Sequence, residues 1–327
     1  MIYPEQFEAK IGFDRIRELV KAHCLFEPGR ERVEQMGFMT NFDSIGLELD
    51  LTDEFRRISL DEDEFPLQHF IDNREALKKA ELEGAFMLEE EVFGLIRSLD
   101  SVRAILNFFK SDEEDKYPAL KDMCEPVKVF PFVMDRIGKV LNKHGKIRDN
   151  ASSQLHQIRR SQTEKQGAVS KKLNQILAKA QREGWVDADA APTFRNDRPV
   201  IPVMAGNKRK LGGLVHDESA TGKTVFIEPV EVVEISNQIR ELEYAERREI
   251  IQILIALTSD LRPYIPEMLS TQNFLSSIDF IRARALFARR IEASRSRLRR
   301  QDRNPSTLKL VRVGQGSCAA SQGVTTR

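Results

Sequence analysis

At 327 residues, with 31% charged, 41% apolar and 7% aromatic residues, the chain is long enough for more than one domain but too charged and too poor in aromatics for a compact β-rich architecture. Its formal net charge of zero hides an asymmetry, because residues 294–327 hold eight Lys/Arg against Asp302 alone, a net of +7, which leaves −7 on residues 1–293. Cys24, Cys124 and Cys318 are far apart and unaccompanied by a CxxC pair or a His/Cys cluster, so no disulfide framework or zinc site is expected; with no signal-peptide pattern and no apolar run of membrane length, the expectation is a reduced, cytoplasmic protein without a membrane partner.

Residues 1–139 read as the first part of a helical core. Phe7, Ile11, Phe13, Ile16, Leu19 and Val20 recur at three- and four-residue steps and define one buried face. Pro28-Gly29 punctuates the pattern, with Gly29 expected just before a new helix. Ile45–Ile58 predicts the next helix, followed by the acidic run Asp61–Glu64. Arg74–Lys110 predicts two helices broken near Gly84, and a second acidic run, Asp112–Asp115, precedes Pro118. Both runs lack the alternating Asp/Asn ligands, central Gly and distal Glu of a calcium loop, and read as solvated loops.

Residues 140–187 predict the outward helix of a lever. Around Gly145 lies a polar turn, and Asp149, Asn150, Ser152 and Ser153 offer N-cap side chains for a helix reaching about Glu183, ~30 residues or ~45 Å long. Its apolar stripe (Leu155, Ile158, Val169, Leu173, Ile176, Leu177, Ala180) is narrow. Residues 230–262 repeat the design as a return helix, with Val232, Ile235, Ile239, Leu242, Ile253 and Leu257 close to the seven-residue rhythm of a coiled coil and Glu246 and Glu249 interrupting it. Both stripes fade midway, at 159–168 and 243–249, where weak packing is expected. Stripes this narrow favour an antiparallel arm over two amphipathic helices in one globule. Pro263 and Pro266 end the arm, and residues 263–293 resume a core pattern. The predicted class is therefore mainly α: a discontinuous helical core with a long antiparallel two-helix lever carrying a small antiparallel β clamp.

The clamp is residues 188–229. Short β-branched runs (Pro199–Met204, Leu214–His216, Thr224–Ile227) alternate with turn clusters. Arg195, Arg198, Lys208, Arg209, Lys210 and Lys223 fall in those turns and strands and are the candidate nucleic-acid-binding residues. Exposed Lys/Arg at loop tips contact phosphates without reading bases, with strong salt dependence; on charge alone, a solvated loop surface is the alternative. Gly222-Lys223-Thr224 imitates the end of a phosphate-binding loop, but the required upstream glycine is Asp217 and a strand follows. His216, Asp217, Glu218 and Ser219 are adjacent in sequence, and such side chains seldom converge. His23, His69, His144 and His156 are scattered singly. No catalytic, metal or cofactor constellation is expected. The tail, residues 294–327, changes composition abruptly; it reads as a disordered extension or an out-of-frame translation, the alternative being a basic nucleic-acid-binding segment.

The words of the clamp themselves resemble a known family. Arg195-x2-Arg198-Pro-Val-Ile-Pro-Val203, Gly213-Leu-Val-His-Asp-Glu-Ser-Ala-Thr-Gly222 and Phe226-Ile-Glu-Pro229 are similar to the clamp of the second branch of the bacterial MutS family, the MutS-like endonucleases with a C-terminal Smr nuclease domain. Asp149-Asn-Ala-Ser152 with Leu155 and Ile158-Arg-Arg160 resembles the start of its lever helix, and Ile11-Gly-Phe-Asp-Arg-Ile16 with Pro28-Gly29 its N-terminal core. The match covers about residues 5–293, with Thr221 standing where Ser is expected. The resemblance implies a homodimeric ATPase of the ATP-binding-cassette type that binds branched or mismatched DNA, suppresses recombination and rescues collided ribosomes. ATP and magnesium belong to an ATPase domain after the core, and the Smr nuclease ends the family's chains. No Walker A sequence occurs in the 327 residues and the resemblance stops near Ala293. The chain is thus expected to be the core, lever and clamp of a truncated or frameshifted gene, inactive as an enzyme alone, its clamp touching DNA or ribosomal RNA backbone. The rival expectation is a non-enzymatic protein-interaction scaffold acting through the lever helices.

Overall fold

The computed structural model describes residues 7–60, 65–111, 115–300 and 308–311. The acidic runs at 61–64 and 112–114, most of the basic tail and Cys318 lie outside the described residues. In chain order the helices are α1 (Phe7–Lys10), α2 (Phe13–Lys21), α3 (Glu27–Glu34), α4 (Phe42–Ile58), α5 (Arg74–Ala80), α6 (Glu89–Lys110), α7 (Pro118–Cys124), α8 (Pro131–Val140), α9 (Ser153–Arg182), α10 (Lys208–Leu211), α11 (Val230–Leu261) and α12 (Ile265–Arg290). The strands are β1 (Thr193–Arg195), β2 (Arg198–Met204), β3 (Gly213–Glu218), β4 (Thr224–Pro229), β5 (Arg297–Arg300) and β6 (Leu308–Val311). The chain divides into two units, one of residues 1–135 and 261–327 and the other of residues 136–260. Among the described residues, no helix is long and apolar enough to cross a membrane.

In the first unit α12 is the central element, packed by α2, α3, α4, α5 and α6. Phe55, Ile58, Ile105, Phe109, Leu120, Leu275 and Ile278 form its main core, each such burial contributing about 1.5–3 kcal/mol. Phe65 bridges Phe55 and Phe108 edge-on, with ring centroids 4.8 and 5.2 Å apart. Two buried acids serve helix starts that have no side-chain cap of their own. Glu54 on α4 accepts from Ala119 N (3.0 Å) and Leu120 N (2.8 Å) at the start of α7. Asp279 on α12 accepts from Leu25 N (2.9 Å) and Phe26 N (3.4 Å), just ahead of α3. Burial pushes the Asp279 carboxyl above its ordinary range, against the pull of those donors and of Arg282.

That junction corrects one expectation. Pro28-Gly29 does not precede a helix but lies inside the first turn of α3. Proline is tolerated there because its missing N–H would be unpaired anyway. Gly29 is required for space, since a Cβ at this position would collide with the Asp279 carboxylate.

The second unit is built on α9 and α11. Ser152 caps α9, its Oγ accepting from Leu155 N at 2.9 Å, which starts the helix where the N-cap cluster predicted. Ser152 Oγ also donates to Glu249 (2.6 Å), Arg159 and Gln162 both reach Glu246 (2.8 and 2.9 Å), and Lys165 reaches Gln238 (2.6 Å). Numbers rise along α9 as they fall along α11, so the helices are antiparallel. The polar spans expected to pack weakly are instead joined by this ladder of matched side chains, because the interruptions on the two helices face one another.

The sheet has the order β1-β2-β4-β3, every pair antiparallel. Ile201, Val203, Val225 and Ile227 share one face and pack with Val169, Leu173, Leu177 and Val232 of the helices. In the tail, β5 and β6 pair antiparallel, and Arg295 Nε meets Asp50 Oδ1 at 2.6 Å. No strand was expected there.

Candidate nucleic-acid interface

The β1–β2 hairpin turns on Asn196 and Asp197, both at positive φ (48° and 57°), the two-residue geometry that matches strand twist. The turn folds back on α11: Arg240 donates to Asn196 O (3.3 Å) and Arg198 to Asn237 Oδ1 (2.9 Å). From Met204 the chain crosses through α10 to begin β3 beside the far end of β4, so β2 and β3 flank β4 from either side. Gly213 opens β3 at φ 153°, where a Cβ would run into the Glu228 carbonyl oxygen.

The face of the sheet opposite Ile201, Val203, Val225 and Ile227 carries a charged network. A bulge between Val215 and Asp217 leaves His216 as the extra residue and sets Asp217 opposite Phe226. His216 Nε2 lies 2.7 Å from Glu228 Oε2, and Arg198 Nη1 lies 3.5 Å from Glu228 Oε1, with the Glu228 side chain wholly buried. Asp217 pairs with Arg195 at 3.2 Å, and the Arg195 guanidinium sits over the Phe226 ring at 4.2 Å. Each strand contributes one or two members, so the network ties all four together.

The six predicted cations fall into separate groups. Arg195 and Arg198 stand at the hairpin end of the sheet and are engaged internally. Lys208, Arg209 and Lys210 lie in what the sequence suggests is a turn but is the short helix α10, all three exposed. Lys223 is exposed in the β3–β4 turn at the opposite end of β2 from Arg198, about 20 Å away along a seven-residue strand. Its carbonyl accepts from Ala205 N at 2.9 Å, which sets this turn beside the entry to α10. None of the four makes an ion pair among the described residues. Four cations unpaired among the described residues, beside a braced sheet, are suited to hold phosphate oxygens, the lysines as point charges and Arg209 through its forked guanidinium.

Glu228 and Asn237 escaped the sequence reading. A lone acid in the otherwise apolar run Val225-Phe-Ile-Glu-Pro229 was the available signal, since a charge in a buried strand needs a partner. Among the described residues, no group of three or more His, Cys, Asp and Glu is arranged to hold a metal ion.

No family model matches the chain. Proteins named endonuclease MutS2 are similar to it: 32% identical over 287 residues in Geobacillus sp. (strain WCH70), covering 87% of this chain and 36% of the relative. The relative from Alkaliphilus metalliredigens (strain QYMF) is 32% identical over 275 residues, 84% of this chain and 35% of its own length. That from Clostridium perfringens (strain SM101 / Type A) is 33% identical over 281 residues, 85% and 35% respectively. The chain therefore spans about a third of the length of the curated relatives it matches.

Proposed function

We propose, from the premise that this chain is a MutS-like family member over the stretch it shares with those relatives, that its second unit grips the phosphate backbone of nucleic acid through Lys208, Arg209, Lys210 and Lys223. The observation that carries the proposal is the division among the cations: these four are exposed and unpaired among the described residues, whereas Arg195 and Arg198 brace the sheet beneath them. Such contacts position a protein on its target without reading sequence, so DNA and ribosomal RNA both qualify as ligands. Where an ATPase domain and a second copy are present, as the family resemblance implies, the paired helices would link this grip to nucleotide-driven motion. The test is binding of the folded 327-residue chain to labelled duplex DNA and to an rRNA hairpin across a salt series. Affinity should fall steeply with salt, and K208E/R209E/K210E should lose it. Salt-independent binding, or binding indifferent to that triple change, would sink the proposal.

One observation favours a second reading, protein docking at the helices. An open groove of about 470 Å³ lies between the β1–β2 hairpin and the helix pair, with Val169, Leu173, Phe194, Pro199 and Ile239 in its walls. Partner binding that survives K208E/R209E/K210E and is lost in Phe194→Arg, at an exposed wall residue, would identify that role.

A further inference from the structure

We propose that the outer face of α9 continues the grip, so that a nucleic-acid duplex lies along the helix for about ten base pairs beyond the clamp. This rests on the reading just given and extends it to residues no resemblance assigns.

The two long helices are oppositely charged. Helix α9 carries seven Lys/Arg and one acid, Glu164, a net of +6. Helix α11 carries seven Asp/Glu and three arginines, a net of −4. Arg160, Lys171 and Arg182 are spaced by eleven residues, which on an α-helix returns to within about 20° of the same direction. They are exposed, and they lie opposite the buried face of Leu155, Ile158, Val169, Leu173 and Ala180. Lys179 is exposed on the flank of this stripe. Arg160 pairs with Glu164 at 2.9 Å on the surface, while Lys171, Lys179 and Arg182 make no ion pair among the described residues.

The stripe covers about 33 Å from Arg160 to Arg182 at 1.5 Å per residue, close to ten steps of a duplex at about 3.4 Å each. It also runs into the clamp cations. Asn207 Nδ2 donates to Gly184 O (3.3 Å) and Trp185 O (3.4 Å), seating the start of α10 on the end of α9. Arg182 therefore ends one basic segment where Lys208 begins the next. The exposed acids of α11, Glu231, Glu234, Glu241 and Glu243, repel a polyanion from the other helix and select the α9 side.

The experiment measures the affinity of the whole 327-residue chain for a 24-base-pair DNA duplex between 50 and 300 mM salt. It compares wild type, K208E/R209E/K210E, K171E/K179E/R182E and the milder K171Q/K179Q/R182Q, which keeps good helix formers at exposed positions; circular dichroism confirms equal helix content. Each phosphate contact contributes about 0.9 to the slope of log K against log salt, so losing three should flatten it by about 2–3 in the lever variants. The clamp variant should show a separate loss of similar size. If the lever variants keep the wild-type slope and affinity while the clamp variant loses them, the clamp grip stands and its extension along α9 falls. If wild type binds no DNA duplex, the extension falls; if it binds no rRNA hairpin either, the clamp grip falls with it. Equal competition by an acidic polypeptide of matched charge would also overturn the duplex as occupant.

Discussion

Glu228 and His216 meet at 2.7 Å on neighbouring strands, the carboxylate wholly buried and shared with Arg198. Removing the acid leaves the imidazole without this partner and a mostly buried arginine with its charge unpaired, held only by Asn237. Glu228→Ala should therefore lower stability by about 3 kcal/mol, read as a lower urea midpoint, while the exposed lysines remain in place. An unchanged midpoint would mean that the network does not brace the sheet.

Gly29 and Asp279 make a second testable pair. Gly29→Ala must displace a carboxylate that holds two backbone N–H groups, and should cost about 2 kcal/mol or more. Asp279→Ala alone strands those N–H groups. The double change should cost clearly less than the two added together, because the methyl then enters vacated space. Simple additivity in denaturant unfolding would contradict the contact.

His23 sets a pH dependence. Burial, then Arg290 and Arg282, holds its pKa below the ordinary imidazole range, and its Nε2 is buried without a hydrogen-bond partner among the described residues. A group whose folded pKa is depressed contributes stability that is fully present above its unfolded pKa, about 6.5, and is lost as pH falls through the folded value. Thermal midpoints should drop between pH 7 and 5 in wild type and drop less in His23→Gln. Parallel profiles for the two proteins would rule His23 out as the cause.

The side chains joining α9 and α11 fix their register. Glu246 receives both Arg159 and Gln162, and the Arg159–Glu246 pair is about a quarter exposed (26% and 22%). Glu246→Ala should cost about 1–2 kcal/mol, the range for charged hydrogen bonds after allowance for solvent screening. Faster amide exchange should be confined to residues around 159–168 and 243–249. Uniform exchange along both helices would place the register elsewhere.

Thiol labelling offers an independent check on the first unit. Burial pushes the Cys24 and Cys124 thiols up to about 12, so neither presents thiolate at neutral pH. In a Cys318→Ser background the native protein should take up no thiol reagent until denatured. Rapid native labelling would contradict the packing around them.

Much of this was legible in sequence where one local cause decides the outcome. Ser152 starts α9 because a side-chain oxygen at that point satisfies a free N–H, and the broken pattern near Gly84 separates α5 from α6. What stayed hidden depends on residues far apart in sequence. Gly29 looked like a turn residue because its neighbour Asp279 comes 250 positions later. The polar gaps in the helices looked weak because each was read without the other. His216 and Asp217 share a face only through a bulge, and alternation along β3 would have parted them. The six basic residues looked like one cluster, yet the turn at Asn196 and Asp197 folds back on α11 and takes Arg195 and Arg198 away from the rest.

The insertion of residues 136–260 within the first unit has a consequence for how the chain is made. Helices α2 to α6 emerge from the ribosome early, but α12, against which they all pack, is synthesised only after the whole inserted unit. The clamp and its two helices can close from neighbouring segments as they appear. The first unit must wait with Phe55, Ile58, Ile105 and Phe109 uncovered until Leu275 and Ile278 arrive. At about 5–20 residues per second that interval lasts several seconds or more, and throughout it the apolar faces of these helices lack their native cover.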